Sequence, residues 1–119
     1  MLLITKSLIV LIALLHIYFL ILEMFLWATP RGRKVFNLQA DFAKASKTLA
    51  ANQGLYNGFL AAGLLWGLLS VDNSVAIYLF FLSCITIAGI YGGLTVSKKI
   101  FFIQAVPALI ALNLLAFVA

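Results

Sequence analysis

The sequence predicts an all-α integral membrane protein, an up-down bundle of four transmembrane helices. Three observations predict it. Of 119 residues, 66% are hydrophobic and only 9% charged, against roughly 45–50% apolar and about 25% charged in soluble domains. A water-soluble fold this apolar would have no polar surface to present. The apolar residues fall into four runs, 7–28, 49–70, 74–96 and 100–118, each close to the about 20 residues that cross the hydrocarbon core. Two of the three connectors are short enough only to reverse the chain, which makes consecutive spans antiparallel neighbours.

The first span, 7–28, contains His16 and Glu23. Ionisable groups at such depth are costly unless they face a partner or a wet cavity. Pro30 and Gly32 stop this helix. The connector 29–48 carries Arg31, Arg33, Lys34, Lys44 and Lys47. Within it Asn37 can cap a helix, and residues 39–47 read as helical and amphipathic, with Leu38 and Phe42 on one side. That stretch is either an interfacial helix or the protruding start of a long second helix.

The second span opens Asn52-Gln53-Gly54-Leu55-Tyr56-Asn57-Gly58. Asn52 and Tyr56 are one turn apart, as are Gln53 and Asn57, and together they make one polar sector. Gly63 and Gly67 fall near the same face, and Gly54 and Gly58 form a second small pair on another. Such pairs let a neighbouring helix approach closely. Residues 70–73 make a tight turn in which Asp72 or Asn73 can cap the third helix. Ser97-Lys98-Lys99 makes the next turn, and Pro107 kinks the fourth helix and frees a carbonyl near residue 103.

Charge and composition narrow the function classes. The net charge of +5 comes from too few and too clustered residues to mark a nucleic-acid footprint, so nucleic acid is not an expected partner. The lipid bilayer is. Basic residues flanking apolar runs instead set topology. On a four-span layout, one side carries every Lys and Arg except Lys6, which places both basic connectors in the cytoplasm and both termini outside. The first span is too long, and lacks the small-residue cleavage site, for a signal peptide. Cys84 is the single cysteine, so no internal disulfide forms. One His and three acids are too few for a metal site, and no cofactor is indicated.

The polar residues converge on one level. His16 and Glu23 are seven apart and share a face, about 10 Å apart along the axis, and Glu23 lies roughly 7 Å inside the cytoplasmic end of its span. Asn52, Gln53, Tyr56 and Asn57 lie at comparable depth, as do Tyr91, Thr95 and Gln104 on the later spans. The outer half is nearly apolar, broken only by Lys6 and Asn113. This predicts a polar pocket open to the cytoplasm with His16 at its floor. The candidate ligand-binding or proton-handling residues are His16, Glu23, Asn52, Gln53, Tyr56, Asn57, Tyr91 and Gln104. Each also has a structural reading: Glu23 as a protonated or amide-bonded acid joining helices, His16 as a satisfied packing histidine, the amides as interhelical glue.

The run from His16 to Trp27, followed by Thr29-Pro30-Arg31-Gly32-Arg33, resembles the start of the DUF1304 family of small bacterial membrane proteins, a family without assigned activity. The block from Asn52 to Gly63 is similar to that family's most distinctive segment, and Tyr91-Gly92-Gly93 and Gln104-Ala105-Val106-Pro107-Ala108 fit its later part. The resemblance covers nearly the whole chain. It implies a four-span protein in the bacterial cytoplasmic membrane and no particular chemistry.

Three function classes follow. The first is binding or transport of a small amphipathic or cationic molecule, with Glu23 supplying charge or a titratable proton and the amides and Tyr56 orienting the ligand. Small multidrug transporters share the size and the acid in the first span, but place that acid nearer mid-membrane, and many pair antiparallel, which a strong charge bias disfavours. Alternating access in so short a chain would require a homodimer. The second is a membrane-embedded isomerase or hydrolase acting on a lipid-like substrate through His16 and Glu23. The third is a structural or accessory subunit whose polar and glycine faces dock helices.

Overall fold

The computed structural model describes residues 1–118. The fold is all-α: α1 (Leu2–Phe25), α2 (Pro30–Phe36), α3 (Ala40–Leu69), α4 (Ser74–Thr95) and α5 (Lys98–Val118), with no strand among the described residues. Three of these helices, α1, α4 and α5, are long and apolar enough to cross a membrane. At 30 residues, α3 is about 45 Å long, but its amides and glycines dilute its hydropathy. The chain forms two compact units, one of residues Leu14–Ala61 and one of Met1–Ala13 together with the chain from Ala62 onward. Both α1 and α3 contribute to each.

In the unit of residues 14–61, the connector is more ordered than the sequence predicts. Pro30 does not end α1, which stops at Phe25; it is the first residue of α2, where its missing N–H is not needed. Thr29 caps that helix, its Oγ1 accepting from the Gly32 N–H at 3.4 Å and donating to the Leu26 carbonyl at 2.6 Å. Asn37 ends α2 instead of starting a helix: it adopts the left-handed conformation (φ 54°, ψ 54°), and its N–H returns to the Arg33 carbonyl. Asparagine tolerates that conformation better than most residues. Residues 40–48 then belong to one α3 and do not form a separate helix. Gly32 is buried hard against the end of α1, where a Cβ would sit 2.0 Å from the Leu26 carbonyl oxygen. The Trp27 and Phe36 rings pack at 4.9 Å, and the Trp27 indole N–H donates to Ser46 Oγ at 3.0 Å.

In the other unit, Ile77, Leu82 and Ile85 of α4 and Ala105, Ala108, Ala111 and Leu115 of α5 are buried. Large residues on α4 are matched by small ones on α5. At Gly89 a Cβ would lie 2.5 Å from the Ala105 nitrogen, so the two backbones touch there. The expected disturbance before Pro107 takes a specific form: residues Phe101–Ala105 make a π-helical turn, closed by Val106 N–H to the Phe101 carbonyl. Pro107 offers no N–H to the preceding turn, and the widened turn accommodates its ring. Gly63 and Gly67 admit the Phe81 and Tyr78 rings of α4. Asn73 precedes α4 but makes no side-chain cap; its N–H instead donates to Ser70 Oγ at 3.4 Å.

Candidate functional site

Glu23 is 2% exposed, and the unit that contains it supplies its partners. Gln53 and Asn57 lie one turn apart on α3, so their amides stack along one face. Gln53 Nε2 donates to Glu23 Oε2, and Asn57 Nδ2 donates to Oε1 at 2.5 Å. One carboxyl is thus gripped by two amides, one on each oxygen. Asn57 is itself buried, whereas Gln53 is exposed and forms the outer edge of the clamp.

The glycine after each amide makes the grip possible. A Cβ on Gly54 would meet Met24 Cγ at 2.7 Å and the Glu23 Cβ at 3.0 Å, and one on Gly58 would meet Leu20 Cδ1 at 2.6 Å. The two glycines let α1 lie against α3, and the neighbouring amides then reach the carboxyl. The sequence carries this arrangement as an amide–glycine dipeptide repeated one turn apart, Gln53-Gly54 and Asn57-Gly58.

Electrostatically the clamp is incomplete. Both amides are neutral, so they satisfy hydrogen bonds without compensating a charge. A carboxylate has about four lone-pair sites, of which the amides take one on each oxygen. No group of three His, Cys, Asp or Glu suited to a metal ion occurs among the described residues.

The other predicted residues divide. His16 is fully buried, with its ring edge-on to Phe19 at 5.7 Å and 77°. Asn52 and Tyr56 do not join the clamp: the polar sector splits, because one residue step turns the helix by about 100°. Both are exposed, and the Tyr56 ring sits edge-to-face with Phe59 at 5.8 Å. Tyr91 and Gln104 belong to the other unit, Tyr91 exposed and Gln104 half-buried. The sequence reading did not single out Ser46 as the partner of Trp27, and nothing in the spacing marks it. Gly54 and Gly58 were expected only as a small pair that lets a helix approach; the amide–glycine dipeptide repeat is the signal that would have tied them to Glu23.

The profile of a family described as "Protein of unknown function (DUF1304)" matches residues 10–116. The chain is 33% identical over 114 residues to the uncharacterized protein YpaA of Lactococcus lactis subsp. lactis (strain IL1403), an alignment that spans 94% of this chain and 96% of that protein. No solved structure matches significantly.

Proposed function

We propose that this chain, which belongs to the DUF1304 family of proteins of unknown function, is a four-span membrane protein that binds or transports a small amphipathic cation at Glu23. The observation that carries the proposal is the clamp. An acid buried in an apolar helix and held by two neutral amides leaves acceptor sites for a cationic headgroup, which its ionised form would attract. Gln53 and Asn57 position the carboxyl, and Gln53, at the exposed edge, is the group an entering ligand meets first. His16 lies deeper on the same helix and forms the floor of the polar region in this account, with Asn52 and Tyr56 as further contacts. Alternating access in a chain of this size calls for a second copy.

The fourth span is α3. From residue 55 onward its exposed residues are Leu55, Phe59, Leu65, Trp66 and Leu69 among others, the last 84% exposed. Such a face is costly in water and at home in lipid. The polar start of α3 continues the basic connector 29–48, which the positive-inside bias assigns to the cytoplasm of a bacterium in this account, with residues 1 and 118 outside.

The test is a thermal-melting panel on the purified protein in micelles, with lipophilic quaternary ammonium and phosphonium cations and neutral analogues of the same shape. The cations are expected to raise the melting temperature of the unsubstituted chain and leave Glu23→Gln unmoved. Equal shifts from cations and neutral analogues, or equal shifts in both proteins, would leave Glu23 as a helix-joining group only.

A further inference from the structure

We infer that α2 and the groove beside it form a headgroup site for an anionic glycerophospholipid, built from residues other than the Glu23 clamp. The basis is a pair of arginines, Arg31 and Arg33, that the fold holds in place, with the exposed Lys34 beside them. α2 is fixed on the end of α1: a Cβ at Gly32 would lie 2.0 Å from the Leu26 carbonyl oxygen and 2.9 Å from that of Trp27, and the Trp27 and Phe36 rings pack, tilted, at 4.9 Å. Arg33 Nε donates to the Leu38 carbonyl at 3.4 Å, which ties its guanidinium to the far side of the α2–α3 turn. Pro30, Arg33, Lys34 and Leu38 line a shallow groove there. Half of that lining is cationic and half apolar.

The level of these cations matters as much as their number. Arg31 Nη2 donates to the Tyr18 hydroxyl at 3.3 Å, and Tyr18 lies about 10 Å back along α1 from its end at Phe25. Arg31 therefore reaches back along an apolar helix instead of out into water. Arg side chains that reach along apolar surface, with Tyr and Trp beside them, are characteristic of the headgroup level. The connector 29–48 adds Lys44 and Lys47 and holds a single acid, Asp41. A lipid phosphate at this level meets Arg33 and Lys34, while its glycerol and upper acyl carbons lie on Pro30 and Leu38. A zwitterionic lipid brings the same phosphate with a cationic choline beside it, and loses most of the attraction. A soluble phosphate has nothing to set against the apolar half of the groove.

The test uses Trp27 as the reporter, in the full chain carrying Trp66→Phe so that it is the one indole. Dibrominated phosphatidylglycerol and dibrominated phosphatidylcholine are titrated into mixed micelles, and quenching is read. The expected result is half-maximal quenching at a several-fold lower mole fraction of phosphatidylglycerol. Arg33→Gln with Lys34→Gln should abolish that preference. Arg33→Lys should retain most of it, and Lys98→Gln with Lys99→Gln should not change it. Thermal melting of the unsubstituted chain with each lipid added must give the same order. Equal quenching by the two lipids overturns the proposal. So does loss of quenching on adding millimolar glycerol phosphate, which would mark a soluble phosphate site. Neither readout depends on Glu23, so this proposal and the cation-binding one fail separately.

Discussion

At the residue scale, the two halves of the clamp are not equivalent. Asn57 is buried, so Asn57→Leu strips a donor from a buried carboxyl oxygen. Its loss should destabilise the protein by about 1–3 kcal/mol. Gln53 is exposed, and Gln53→Leu should cost less, because water or a headgroup can replace its amide. Glu23→Gln retains one carbonyl acceptor and adds a donor that a flipped amide can accept, so it should fold to within about 1 kcal/mol of the parent. Unfolding in mixed micelles, followed by far-UV circular dichroism, ranks the three. The account requires Asn57→Leu to be the least stable. Spacing alone could place Gln53 and Asn57 on one face, but not choose between that face and the one bearing Asn52 and Tyr56. The choice was made by Gly54 and Gly58, whose missing side chains decide where α1 can lie.

At the element scale, the close approaches differ in what stands opposite each glycine. A Cβ at Gly89 would strike backbone, the Ala105 nitrogen at 2.5 Å, whereas one at Gly63 would strike the outer edge of the Phe81 ring at 2.3 Å. A ring can swing aside and a helix backbone cannot. Gly89→Ala should therefore destabilise by about 1–3 kcal/mol and Gly63→Ala by distinctly less, measured by the same unfolding assay. Comparable losses would mean that α4 and α5 are free to move apart at Gly89. Gly32→Ala, which faces the Leu26 carbonyl, should loosen α2 locally and raise its amide exchange while α4 and α5 stay protected. The short elements are where sequence reading fell short, for an identifiable reason. Pro30 both breaks a preceding helix and suits the first position of a following one, and Asn37 serves equally before a helix or after it. Only the contacts of Thr29 and Gly32 with Leu26 fix which role each plays.

At the scale of the whole molecule, the number of crossings decides the topology. The hydropathy runs in α1, α4 and α5 were legible because bilayer thickness demands them. α3 was legible as a helix but is ambiguous as a span, since the amides that hold Glu23 lower its hydropathy. If α3 crosses, Asp72 lies opposite Lys44. In a chain with Cys84→Ser, Asp72→Cys should react with an impermeant maleimide added to intact cells, while Lys44→Cys and Lys98→Cys should react only after permeabilisation. Reaction of Asp72→Cys only after permeabilisation would make α3 a non-crossing helix and the protein three-span.

Cation binding at Glu23 is the claim on which the functional account rests, and calorimetric titration of tetraphenylphosphonium into the micellar protein tests it most directly. The account predicts saturable binding to the unsubstituted chain, weakened at least tenfold in Glu23→Gln, with the variant's helicity unchanged. Undiminished binding to a folded Glu23→Gln, or no saturable binding to the unsubstituted chain, would contradict it.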